Sequence, residues 1–187
     1  MFTRATQLVH ALLEMHVRSG DRVLDATCGN GHDTAFLAAQ CGTSGRVLAI
    51  DVQEAAVQAT LKRIREAGLS DRVDLHQSSH DNEALLAAWD GPLRCAVFNL
   101  GYLPGSDKMV TTQPKTTIRA HDLVSRMLEP GGAIVTTVYI GHPGGREEAD
   151  ALLAWAQSLD GGQWSVARHE WINQDSSSPF ILIIQRR

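Results

Sequence analysis

Residues 22–34 read Arg22-Val23-Leu24-Asp25-Ala26-Thr27-Cys28-Gly29-Asn30-Gly31-His32-Asp33-Thr34, and this run decides the fold. A short apolar segment of strand length, Arg22 to Ala26, passes into two glycines. A helical pattern follows from His32 to Gln40, with Phe36 and Leu37 inward and Gly42 as its stop. Upstream, Ala5 to Val17 carries Leu8, Val9, Leu12 and Leu13 at near-helical spacing and ends at Ser19-Gly20-Asp21. Downstream the alternation repeats. Strands are expected at 46–50, 72–76, 93–98 and 133–139, and helices at 53–67, 82–89, 116–128 and 146–159. Two closing β-runs, 164–172 and 180–184, flank a turn-rich Asn173 to Pro179. Continuous apolar strands alternating with helices mean a parallel sheet covered on both faces, and the closing pair adds an antiparallel edge strand. The expected fold is thus α/β, a mostly parallel seven-stranded sheet in one domain over residues 1–187.

Composition narrows the class. The chain of 187 residues is 43% hydrophobic and 20% charged, which excludes a disordered or fibrous protein. Its 17 Lys+Arg against 21 Asp+Glu give a net charge of −4, which argues against a DNA-coating protein. No run reaches the roughly 18–20 apolar residues of a membrane span, and Met1-Phe2-Thr3-Arg4 opens no secretory signal, so a cytoplasmic location is expected. Cys28, Cys41 and Cys95 have no paired metal spacing, and neither a zinc site nor a disulfide framework is expected.

Sheets of this kind bind ligands beyond the carboxyl ends of their strands. Gly29 and Gly31 permit a tight turn there, and the helix from His32 offers unpaired N–H groups. Asp51, ending the second strand, is placed to accept both ribose hydroxyls of a nucleotide, and His80, after the third strand, falls near where the base would lie. Asp25 separates the candidate ligands. A carboxylate under the glycine turn repels the pyrophosphate of NAD but attracts the ammonium and sulfonium of S-adenosylmethionine (SAM). Thr34 also takes the place of the third glycine of a dinucleotide loop. Turn capping by Asp25 and helix capping by Asp51 are the plainer alternatives.

After the fourth strand comes Phe98-Asn99-Leu100-Gly101-Tyr102-Leu103-Pro104-Gly105. A methyl donor is attacked in line, so a nitrogen nucleophile must aim its lone pair at the methyl carbon. An amide oxygen such as that of Asn99, with adjacent carbonyls, fixes that direction, and the ring of Tyr102 stacks on a base. Asn99 as a turn former and Tyr102 as a plain loop aromatic remain open. Residues 108–126 hold Lys108, Lys115, Arg119 and Arg126 against one acid, Asp122, which suggests a phosphate-contacting rim or a solvated helix face. Thr111, Thr112, Thr116 and Thr117 suit either phosphate contact or helix capping. His142, in Gly141-His142-Pro143-Gly144-Gly145, is a candidate proton acceptor.

Asp25-x-x-x-Gly29-x-Gly31, Asp51 and the turn Leu128-Glu129-Pro130-Gly131-Gly132 together resemble the Rossmann-like class I SAM-dependent methyltransferases, with Thr27 where their loop usually has its first glycine. Asn99-Leu100-Gly101-Tyr102 resembles the Asn/Asp-Pro-Pro-Tyr/Phe of nitrogen methyltransferases, without the prolines. Residues 25–34, 98–108, 141–145 and Asn173-Gln174 resemble one small bacterial rRNA-methylase family, whose members include the tRNA 5-(aminomethyl)-2-thiouridine methyltransferase. The resemblance implies methylation of the aminomethyl nitrogen of a wobble uridine in the tRNA anticodon loop. It implies a cofactor set of Asp25, Thr27, Gly29, Asn30, Gly31, His32, Asp33, Thr34, Asp51, Val52, Ser79, His80 and Asn99. Asn99, Tyr102 and His142 are the expected catalytic residues, and Tyr102, Pro104, Lys108, Lys115, Asn173 and Gln174 the expected substrate contacts. Another RNA base, a small amine, or SAM binding without catalysis are the alternatives. A homodimer would widen the RNA surface of so small a domain.

Overall fold

The computed structural model describes residues 4–103, 111–175 and 177–187. Seven strands form one sheet: β1 (Arg22–Asp25), β2 (Arg46–Asp51), β3 (Val73–Gln77), β4 (Leu93–Leu100), β5 (Leu128–Val138), β6 (Trp164–His169) and β7 (Phe180–Arg186). Their order is β3-β2-β1-β4-β5-β7-β6. Strands β1 to β5 pair in parallel, and β7 runs antiparallel to both β5 and β6. The expected fold class is the one observed. The reversed strand lies one place in from the margin, because β6 returns to close the edge outside it.

Among the described residues, six α-helices cover the sheet: α1 (Ala5–His16), α2 (His32–Gln40), α3 (Glu54–Glu66), α4 (Glu83–Ala87), α5 (Pro114–Met127) and α6 (Gly145–Gln157). Successive strand residues point to opposite faces, and both faces of β1, β2, β4, β5 and β7 are buried, while the edge strands β3 and β6 are largely exposed. Val23, Val47, Cys95, Val97 and Val135 join one core layer with Val9 and Leu13 of α1 and Leu37 of α2. Leu24, Leu48, Ala96, Phe98 and Ile134 face the other layer, against Leu86 of α4, Val124 of α5 and Leu152 of α6. This double burial is why the strands read as unbroken apolar runs.

Local departures from the expected bounds have physical causes. The turn Glu129-Pro130-Gly131-Gly132 is absorbed into the start of β5, where the register against β4 shifts between Leu93 and Cys95. Gln53, not Asp51, occupies the N-cap of α3. Among the described residues, no helix is long and apolar enough to cross a membrane.

Candidate active site

A cavity of about 670 Å³ opens at the carboxyl ends of β1, β2, β4 and β5, within the size range of small-molecule sites. Thr27, Gly29, Asn30, His32, Asp33, Asp51, Val52, Ser79, His80, Asn99 and Tyr102 line it, as does His142. The sheet therefore gathers at one edge residues that lie far apart in the chain.

The glycine loop is braced from α3. Gly31 has φ +75°, and a Cβ there would lie 2.8 Å from Thr60 Cα, so the loop packs against the helix at a distance only glycine permits. The Thr60 hydroxyl donates to Gly29 O at 3.0 Å, and Arg63 Nε donates to Asn30 O at 2.7 Å. Asp51 accepts from Gly29 N and from Gln53 N, both at 3.0 Å. Each of its oxygens retains acceptor capacity, and the side chain lines the cavity.

Asp25 and Thr34 lie beneath the cavity rather than among its lining residues. Asp25 is fully buried and accepts from the Thr34 hydroxyl at 2.5 Å and from Thr27 N at 3.3 Å. Burial, and then the neighbouring Asp33 carboxylate, hold its carboxyl above the usual range. Of this neighbouring pair, Asp33 is the carboxylate that lines the cavity. Burial raises it, but hydrogen bonds from His10 and Asn99 outweigh that and leave it below the ordinary carboxylate range.

Thr27, where a class I loop usually has glycine, accepts the Asn99 N–H on its hydroxyl oxygen at 2.7 Å. The loop after β1 is thus tied to the end of β4. Asn99 Nδ2 donates to Asp33 Oδ2 at 2.8 Å. A carboxylate only accepts, so the amide nitrogen must face it and the amide oxygen must face away. The carbonyls of Leu100 and Gly101 already receive Tyr139 N at 3.2 Å and Thr112 N at 3.0 Å.

Tyr102 and Tyr139, the two tyrosines of the chain, both line the cavity, 36% and 40% exposed. His142 stands edge-on to Tyr102, with ring centroids 6.0 Å apart. Its Nδ1 contacts Pro143 O at 3.0 Å, and its Nε2 packs where a Cβ on Gly145 would come within 2.9 Å. His80 is buried, its imidazole held below the ordinary range by desolvation, and its Nε2 has no hydrogen-bond partner among the described residues.

The remaining expected contacts divide. Lys115, Asn173 and Gln174 are exposed and lie outside the cavity lining, although Ser177 of the same terminal loop reaches it. Pro104 and Lys108 lie outside the described residues. Arg119 pairs with Glu83 and Asp81, and Arg126 pairs with Asp122, so much of the expected positive rim is neutralised. Thr111, Thr112 and Thr116 line the cavity, while Thr117 is buried.

Several residues of the site carry no local sequence signal. Glu148 of α6 is buried and accepts from Thr112 at 2.6 Å and Thr117 at 2.5 Å. Thr112 in turn accepts Gly101 N at 2.9 Å, so a carboxylate 36 positions beyond Thr112 anchors the loop after β4. His10, Thr60, Arg63 and Tyr139 are equally silent, since each acts on a segment remote in sequence.

Comparison with known proteins agrees with this geometry. Residues 47–185 match the family model described as "Putative rRNA methylase". The chain belongs to this rRNA-methylase family of class I SAM-dependent methyltransferases. It is 34% identical over 98% of its length to the "tRNA (mnm(5)s(2)U34)-methyltransferase, chloroplastic" of Arabidopsis thaliana, of which it covers 70%. Among solved structures it resembles a "putative rRNA-methylase" from Clostridium thermocellum, at 37% identity and TM-score 0.96 with all of both chains covered. A methyltransferase from Streptococcus mutans, in complex with SAH, is 34% identical with TM-score 0.89, again over the whole of both chains. Residues 1–83 also match a model described as protein-L-isoaspartate(D-aspartate) O-methyltransferase. This methyltransferase uses SAM. The residues present fit it: the cavity is large enough, Asp51 keeps acceptor capacity, and the Asp33 carboxylate offers a counter-charge to a cation.

Proposed function

We propose that the methyltransferase acts on tRNA, methylating the aminomethyl nitrogen of wobble 5-aminomethyl-2-thiouridine to give 5-methylaminomethyl-2-thiouridine. The observation that carries this reading is the locked amide of Asn99. With Nδ2 held by Asp33, Oδ1 is left to accept an amine hydrogen and turn the nitrogen lone pair toward the methyl carbon. SAM supplies an electrophilic methyl group on a sulfonium.

The other residues serve that alignment. Asp51 binds the ribose, and the loop from Thr27 to His32 surrounds the methionine portion. Asp25 and Thr34 hold that loop from below, while Val52, Ser79 and His80 border the adenine. Tyr102 and Tyr139 offer stacking faces to a base splayed from a single-stranded loop. His142 steadies Tyr102 edge-on; accepting a proton would require Nε2 to turn out from Gly145. Lys115, with Lys108, Pro104, Asn173 and Gln174, is assigned to the RNA side of the mouth. The name of the Arabidopsis relative supports the wobble uridine as target, and the family description supports RNA more broadly.

Nucleoside mass spectrometry of tRNA from cells lacking the protein tests this. The expected result is accumulation of 5-aminomethyl-2-thiouridine and loss of its methylated form. Unchanged tRNA nucleosides, with tritiated methyl from SAM entering only rRNA, would overturn it in favour of an rRNA base.

A further inference from the structure

The first helix reaches the reaction site. Thr6 lines the cavity, and His10, one turn later on the same face, points its Nε2 at Asp33 Oδ1, 2.8 Å away. The other oxygen of Asp33 receives Asn99 Nδ2 at 2.8 Å. Asp33 thus stands between two donors that come from α1 and β4, 23 and 66 positions away. We propose that His10 is a positioning residue for methyl transfer: by holding Asp33, it fixes the amide plane of Asn99. The inference rests on the proposed role of Asn99 in orienting the amine.

Three features support the assignment. The His10 ring lies flat on Phe36 of α2, with centroids 4.0 Å apart and planes 13° from parallel, so its direction is set by packing. Asp33 lies in the first turn of α2, where the helix end favours a carboxylate. Its side chain is only 13% exposed, so water has little access to replace a lost donor. A carboxylate held at one oxygen can rotate about its side-chain torsions, and the amide of Asn99 would rotate with it. Held at both, it presents a fixed acceptor to Asn99 and also polarises the amide, making Oδ1 the better acceptor for an amine hydrogen.

Two substitutions separate this role from packing. His10→Phe keeps a ring on Phe36 and removes the donor. His10→Gln removes the ring and places an N–H near the position of Nε2. Methyl transfer from tritiated SAM is measured on tRNA isolated from cells lacking the protein, with SAM affinity by calorimetry and folding by thermal unfolding. We expect His10→Phe to lower kcat about 10- to 100-fold with SAM affinity unchanged, and His10→Gln to recover most of the rate. Any ranking in which Gln does not exceed Phe overturns the inference, including equal losses or no loss in either. Asn99→Ala is run beside them. If it transfers methyl at the rate of the unmodified protein, the proposed role of Asn99 fails, independently of what His10 does.

Discussion

The two halves of the cavity are built differently. On the side of β1 to β3, the single stretch 25–34 makes most of the wall, and its neighbours brace it through backbone atoms: Thr60 on Gly29 O, Arg63 on Asn30 O, Asp51 on Gly29 N. On the side of β4 and β5, the shape depends on side chains brought from distant helices. Glu148 holds Thr112, which holds Gly101, and His10 holds Asp33, which holds Asn99. Each brace of the first side is a single side chain acting directly on the loop backbone, whereas each relay of the second passes through an intermediate side chain and fails if either member is lost. The first wall is thus set largely by one loop, while the second depends on partners remote in the chain.

Removing the buried anchor of the second half should have the largest effect. Glu148→Ala leaves the Thr112 and Thr117 hydroxyls without their acceptor, and should cost about 2–4 kcal/mol of stability by denaturant unfolding, with slower methyl transfer. A loss indistinguishable from zero would mean that the loop after β4 is held by other contacts. In the first half, Asp51→Ala should weaken SAM binding by about 1–3 kcal/mol in calorimetry, since it removes the ribose acceptor. Unchanged affinity would remove that assignment.

Asp25 gives a pH test. Its folded pKa is raised, so its contribution to stability is fully present below about pH 4, the unfolded value, and is lost as pH rises through the folded value. Asp25→Asn should flatten that decline in unfolding free energy for the protein without ligand. Parallel slopes for the two proteins would contradict it. The smallest effect is expected from Lys115→Ala, which should weaken RNA binding modestly and reduce the slope of affinity against salt by about one, with SAM affinity unchanged. RNA affinity indifferent to the change would remove Lys115 from the interface.

The first half is legible in the sequence because its signals are local. A strand, two glycines and a helix start lie in one run, and the acid ending the next strand sits at a predictable distance. Asn99 and Tyr102 can be found for the same reason: the first lies in the last residues of β4 and the second just past its end. The partners that give Asn99 its direction cannot. His10 sits in an ordinary amphipathic helix, and Glu148 in a helix rich in exposed acids, with nothing nearby to mark either as part of a polar network. The positive rim is weaker than the sequence suggests for a related reason: Arg119 finds its counter-charges in Asp81 and Glu83, which the linear charge count over 108–126 does not include.

The hydroxyl of Thr27 has a bearing on protein engineering. It ties the loop after β1 to the strand that presents Asn99. A graft that replaced residues 1–83 with those of another methyltransferase, carrying glycine at this place, would keep a plausible donor pocket yet sever that stitch. Exchanging the two portions as independent cassettes would accordingly require restoring a threonine at the seam.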